Sequence, residues 1–189
     1  MLAGDWDTAH ELVSREKALG WSSSDNPQGL VVPLFLVLLS GKSLDALPTN
    51  LAQLWQQGLQ NSIGFGSWSG EDEENAVKRS ERAYAVRLSD ASLSRDQQAR
   101  VLSWCLDVAK RRVEAIVSNQ HRGSYGKAAV LTAACAEALR LRGESNEADA
   151  MLDDMRNRFP RHRAFQAELE AAVEQTGRSL KRKGGKTTR

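Results

Sequence analysis

The sequence predicts an all-α protein of about seven or eight helices arranged as antiparallel pairs. Three observations carry this. Apolar residues recur at helical spacing along most of the chain. The 4 Pro and 14 Gly among the 189 residues cluster, which leaves long stretches free of helix breakers. Capping patterns stand where several of those stretches begin. No segment makes a convincing strand, and a composition of 41% hydrophobic and 26% charged residues is ordinary for a globular chain.

The first helical segment, about 5–18, puts Trp6, Ala9, Leu12 and Val13 on one face. "GWSSSDNPQG" follows, a loop composition that ends by capping a helix, with Asp25 or Asn26 as N-cap and Pro27 at the first helical position. The second helix, to about Ser40, is apolar all round and is expected to be buried on most sides. Pro33 must kink it or mark its real start, because proline removes a helical donor. A third helix begins at Pro48 and runs through "NLAQLWQQGLQ". The glycine-rich segment 61–70, "NSIGFGSWSG", reads as a flexible loop. Ser69 with Asp72 forms a capping-box pattern, and Glu71, Asp72, Glu73 and Glu74 complement the N-terminus of a helix over about 72–89.

Ser94 with Gln97 is a second capping box, opening a long helix to about Asn119. Leu102, Cys105, Ala109, Val113 and Ile116 define its core face, and Arg100, Asp107, Arg111, Glu114 and Ser118 its polar face. After "QHRGSYG" come helices over about 125–142, 145–158 and 162–176, the first two separated by Gly143. From Gly177 no apolar face is left, so residues 1–177 form the helical domain and 178–189 a disordered basic tail.

The stretch "AVLTAACAEALRLRGESNEADAMLDDMRNRFPRHRAF" has Ala136 in its first helix, Gly143 at the turn, Ala148 and Leu152 in the second, and Pro160 after it. Over 129–162 it resembles a tetratricopeptide repeat, a 34-residue helix pair in which small residues let two backbones approach. It departs from the family in having Thr132 where Trp is common and Leu139 where Tyr is common. "AGDWDTAHELV" is similar to the same unit from its turn onward, over 4–13, with Gly4, Ala9 and Val13 in the matching places.

The resemblance implies an α-solenoid character and a protein-binding role. It also suggests that a first helix is missing at the N-terminus, as in the C-terminal fragment of a longer helical array, the alternative being a protein that starts there with an atypical end. Trp6, Leu12 and Val13 would then be partly uncovered, unless an upstream segment, a second copy or the apolar helix at 30–40 covers them. Self-association through this face is therefore one partner expectation. Carrying the family's usual contact positions over gives Val130, Ala133, Glu137 and Arg140 as a candidate partner-binding face. Phe65 and Trp68 in the glycine-rich loop are a second candidate, because aromatic side chains there could anchor a partner.

No catalytic motif is found. His10-Glu11 has no second His one turn on, the three His are far apart, and the glycines of "GFGSWSG" lack the preceding strand and the Lys of a phosphate loop. Cys105 and Cys135 fall in apolar helical patterns and read as buried thiols rather than a zinc pair. The expectation is therefore a non-catalytic interaction or assembly module with no cofactor and no metal.

The alternative is an accessory nucleic-acid binder. Its candidate phosphate contacts are Arg156, Arg158, Arg161 and Arg163 at a helix end, with Lys181, Arg182, Lys183 and Lys186 in the tail. The last twelve residues hold six of the 26 basic side chains and no acid, leaving 20 basic against 24 acidic residues in the body. Attraction to phosphates would rest on the tail and local patches. The most apolar run, "LVVPLFLVLL", is half of the ~20 residues that span a bilayer, and no signal peptide is visible, so a cytoplasmic location is expected.

Overall fold

The computed structural model describes residues 5–13, 17–21, 26–63 and 70–184, with side chains described up to 63 and over 74–176. Among these residues the chain is all-α, with eight helices. They are α1 (Trp6–Val13), α2 (Gln28–Ser40), α3 (Thr49–Ile63), α4 (Gly70–Asp90), α5 (Arg95–Ser118), α6 (Tyr125–Leu141), α7 (Ser145–Arg158) and α8 (Arg163–Gly184).

Helix α6 is the axle. It packs against α2, α3, α5, α7 and α8, and Tyr125 together with every residue from Ala128 to Leu139 is buried. Its run of alanines explains how so many neighbours approach one helix, since Ala128, Ala129, Ala133, Ala134, Ala136 and Ala138 keep its cylinder thin. Thr132 is wholly buried and returns its hydroxyl to the carbonyl of Ala128, 2.9 Å away, so the polar atom needs no other partner. The turn to α7 follows from Gly143, at φ +84°. The N–H of Glu144 donates to Leu139 O (2.9 Å) and that of Gly143 to Arg140 O (3.0 Å), the paired bonds of a Schellman stop.

Helix α5 ends the same way with a residue less suited to the task. His121 N donates to Ile116 O and Gln120 N to Val117 O, with Gln120 at φ +56°. A non-glycine residue pays for that left-handed conformation. Gln120→Gly is expected to raise stability by about 0.5–1 kcal/mol, after the greater chain entropy of glycine is offset; a urea melt checks it.

The Ser94–Gln97 capping box forms as expected, with Ser94 Oγ accepting from Gln97 N and Gln97 Oε1 accepting from Ser94 N. All five residues of the expected core face of α5 are buried, and the five of its polar face are exposed. Asn26 caps the start of α2: its Oδ1 accepts from Gln28 N at 3.0 Å, while its Nδ2 donates to the carbonyls of Lys17 and Leu19. Asp25 and the Ser69 capping pattern lie outside the described residues.

Helix α2 is buried nearly all round, and it runs through Pro33 without ending there. Pro33 cannot donate to Gly29, so that carbonyl is left without its bond from four residues on. It points at α3: a Cβ on Gly58 would sit 2.8 Å from Gly29 O.

Of the covers expected for the N-terminal helix, the apolar helix at 30–40 is the one present: α2, together with α5, covers it. Trp6 and Val13 are buried, and only Leu12 points outward, at 72% exposure. Trp6 meets Phe35, Phe35 meets Trp104 edge-on, and His10 meets Trp104 edge-on at 5.1 Å. Asp7 accepts from Arg100 and Gln97 of α5. Three bounds differ from expectation: α8 continues past Gly177 to Gly184, α3 runs to Ile63 inside the expected loop 61–70, and Lys17 and Ala18 are not helical.

The His10 contact has a pH consequence. Burial, followed by the charge of Arg100, holds its imidazole below the usual histidine range. The unfolded chain then takes up a proton that the folded chain resists, so stability falls as the pH drops through about 6.5. His10→Phe is expected to flatten the curve of melting temperature against pH between roughly 7 and 5.

Candidate functional site

The four residues expected to form a free binding face on α6 do not form one. Val130, Ala133 and Glu137 are buried, with α3 and α8 packed on α6. Arg140 is partly exposed and ion-paired to Asp149 of α7 at 2.6 Å. The reason is physical: in a lone repeat this face meets solvent, whereas here α3 and α8 fill it. Glu137 serves the fold instead. Its Oε1 accepts from Asn50 N (3.3 Å), Asn50 Nδ2 (2.8 Å) and the Thr176 hydroxyl (2.6 Å), and its Oε2 accepts from Leu51 N (2.7 Å).

The arginine cluster at the α7–α8 turn divides. Arg156 pairs with Asp153 and Arg158 with Glu114 of α5. Arg161 and Arg163 are exposed, with no acidic partner among the described residues. The turn is closed by Gln166, whose Nε2 donates to the carbonyls of Arg156 and Phe159, both at 3.0 Å. Lys181, Arg182 and Lys183 fall on the last turns of α8, where the backbone alone is described; Lys186, Phe65 and Trp68 lie outside the described residues.

One open space lies where the sequence suggested none. Gly41, at φ +62°, stops α2, and the N–H of Lys42 turns back to Ser40 Oγ. A single 3₁₀ turn, Leu44–Ala46, then leads to α3. Helix α4 rests on α3 through Tyr84, edge-on to Trp55 at 5.4 Å, and through Glu81, which accepts from Gln56 Nε2 at 2.7 Å. This footing leaves a groove of about 680 Å³ between α4 and the C-terminal end of α2. Leu38, Leu44, Leu88 and Ala91 line it and stay only partly buried.

The charges of the groove are unequal in their engagement. Glu81 is held by Gln56, and Asp45 also has a partner. Lys42 and Arg82 are exposed, and neither pairs with a carboxylate among the described residues. The sequence did carry a faint signal, since Arg82, Ala85, Leu88 and Ser89 follow helical spacing on α4. Nothing in it placed the end of α2 opposite.

Among the described residues, no group of three or more His, Cys, Asp or Glu is placed to hold a metal ion. Cys105 and Cys135 are buried free thiols, and burial pushes Cys135 up to about 12, far from a reactive thiolate. No helix among the described residues is long and apolar enough to cross a membrane. Among the described residues the protein is all-helical, with a surface recess between α4 and the C-terminal end of α2. No protein-family model, curated protein or solved structure matches the chain.

Proposed function

We propose that this chain is a non-catalytic interaction module, and that the α2–α4 groove docks an acidic, amphipathic helical segment of a partner protein. The groove carries this reading. Its partly buried leucines offer apolar area that a partner would remove from water, and Lys42 and Arg82 at its rim supply unpaired positive charge. An amphipathic helix laid in such a groove would anchor through residues at i, i+3/i+4 and i+7, with acidic side chains meeting the two cations. The resemblance of the α6–α7 pair to a tetratricopeptide unit agrees with this class of function.

The test is selection from a displayed library of helical 20-residue peptides against the full chain. Enriched peptides are expected to combine an apolar stripe with acidic residues. They should bind an Arg82→Glu variant about tenfold or more weakly, equivalent to about 1.4 kcal/mol. A selection that yields no such peptides, or peptides that the variant binds equally, overturns the proposal. A labelled single-stranded oligonucleotide tests the alternative: tight binding that collapses with salt and weakens in an Arg161→Ala/Arg163→Ala variant would assign the contact to phosphates.

A further inference from the structure

Arg112 lies on the buried side of α5 with 7% of its surface exposed. Its Nη1 donates to the Ala18 carbonyl at 2.9 Å, and its guanidinium carbon sits 4.5 Å from the centre of the Trp21 ring. Among the described residues it has no other partner, and none of these is a carboxylate. A guanidinium carries five N–H donors, so most of its hydrogen-bonding edge is unspent. Burial pushes its pKa down to about 10, which still leaves it charged at neutral pH. A buried charge of this kind is costly unless a counter-charge accompanies it.

Beside the guanidinium is a cleft of about 20 Å³, walled by α2, α3, α5 and α6. That space admits one water-sized particle. Its polar lining is Arg112 within and Gln57, Asn61 and Lys127 around it, and no Asp or Glu contributes. The remaining walls are Trp21, leucine and glycine. A phosphate or sulfate is too large for this volume. A water fits but leaves the charge uncompensated.

We infer that the cleft at Arg112 binds a single monatomic anion, chloride being the physiological one, as the counter-ion of the buried guanidinium. Such an ion would fasten the connecting segment at Trp21 to the bundle. That segment already presses on α2, where a Cβ on Gly29 would meet Trp21 O at 2.7 Å.

The test uses the full chain in sodium gluconate, replaced stepwise by sodium chloride at constant ionic strength. A saturable rise in melting temperature of roughly 2–5 °C is expected, because only the folded state holds the ion. Bromide should reproduce it. Lys127→Met, at an exposed position beside the cleft, should need at least about threefold more chloride than the parent for the same rise above its own melting temperature in gluconate. Crystals grown in sodium bromide should show anomalous density beside Arg112. Identical melting temperatures in chloride and gluconate overturn the inference. So does a chloride response unchanged in Lys127→Met with no bromide density in the cleft.

Discussion

Glu137→Ala is expected to lower stability by about 3–5 kcal/mol, the range for removing one partner from a buried charged network. For a chain of this length that corresponds to a fall in melting temperature of roughly 6–20 °C. The first turn of α3 explains the size. A helix N-terminus leaves its first amides without acceptors, and an N-cap side chain ordinarily satisfies those at the second or third position. Here Pro48 precedes the helix and has no side-chain acceptor to offer. Glu137 reaches in from α6, taking Asn50 N and Leu51 N, so one helix caps another. Its negative charge also lies where the helix dipole is positive.

Thr176 of α8 donates its hydroxyl to the same carboxylate, and Asn50 Nδ2 has Glu137 Oε1, Ala172 O and Thr176 Oγ1 all within 2.9 Å. Alanine would strand two backbone amides and a hydroxyl in a dry site, while Asn50 Nδ2 would keep Ala172 O and Thr176 Oγ1. Glu137→Gln keeps one acceptor but turns an NH₂ toward donors, so an intermediate loss is expected. Urea melts give the order, and hydrogen exchange at Asn50 and Leu51 should quicken before that at the centre of α6. Equal exchange in variant and parent would show that the cap is not what holds α3.

Gly58→Ala is expected to cost about 2–4 kcal/mol, the range of overpacking and backbone displacement. On an open helix the same change would gain about 0.5–1 kcal/mol, because alanine is the better helix former. The sign is reversed by contact. The new Cβ would lie 2.8 Å from Gly29 O and 3.2 Å from Pro33 Cγ. One is backbone and the other a rigid ring, so neither can swing aside, and α2 and α3 must part. The same glycine answers the problem that Pro33 creates. The carbonyl of Gly29 lacks its helical donor and faces the Cα–H of Gly58, a weak but favourable contact. Gly126→Ala on α6 is the control: its Cβ would meet only the flexible end of Glu168 at 3.4 Å, so a neutral or slightly stabilising result is expected. A calorimetric comparison of the two variants checks both signs.

The helices themselves were legible because their causes are local. Ser94 and Gln97 cap α5 from three residues apart, Gly143 takes the conformation that ends α6, and the apolar stripe from Leu102 to Ile116 needs only 3.6-residue spacing to be read. The roles of individual side chains were less legible. Glu137 was placed on an open binding face by the contact positions of the repeat that its helix resembles; it is buried because α3 and α8 arrive from elsewhere in the chain. For Trp6 and Val13 the sequence left three possible covers open, and the fold supplies the apolar helix α2.

By itself, then, the sequence determined that this protein is all-α, which face of α5 turns inward, and the stops and caps that lie at Ser94 and Gly143. Periodicity, caps and breakers act within one or two turns, and they need no partner to be recognised. Tertiary structure decided that α6 is the centre, that Pro33 is tolerated opposite Gly58, that Arg112 is buried beside a small cleft, and that α4 stands off α2 to leave a groove. Each of those depends on residues far apart in sequence meeting in space, and apolar burial, being non-directional, specifies that a face must be covered but not by which helix.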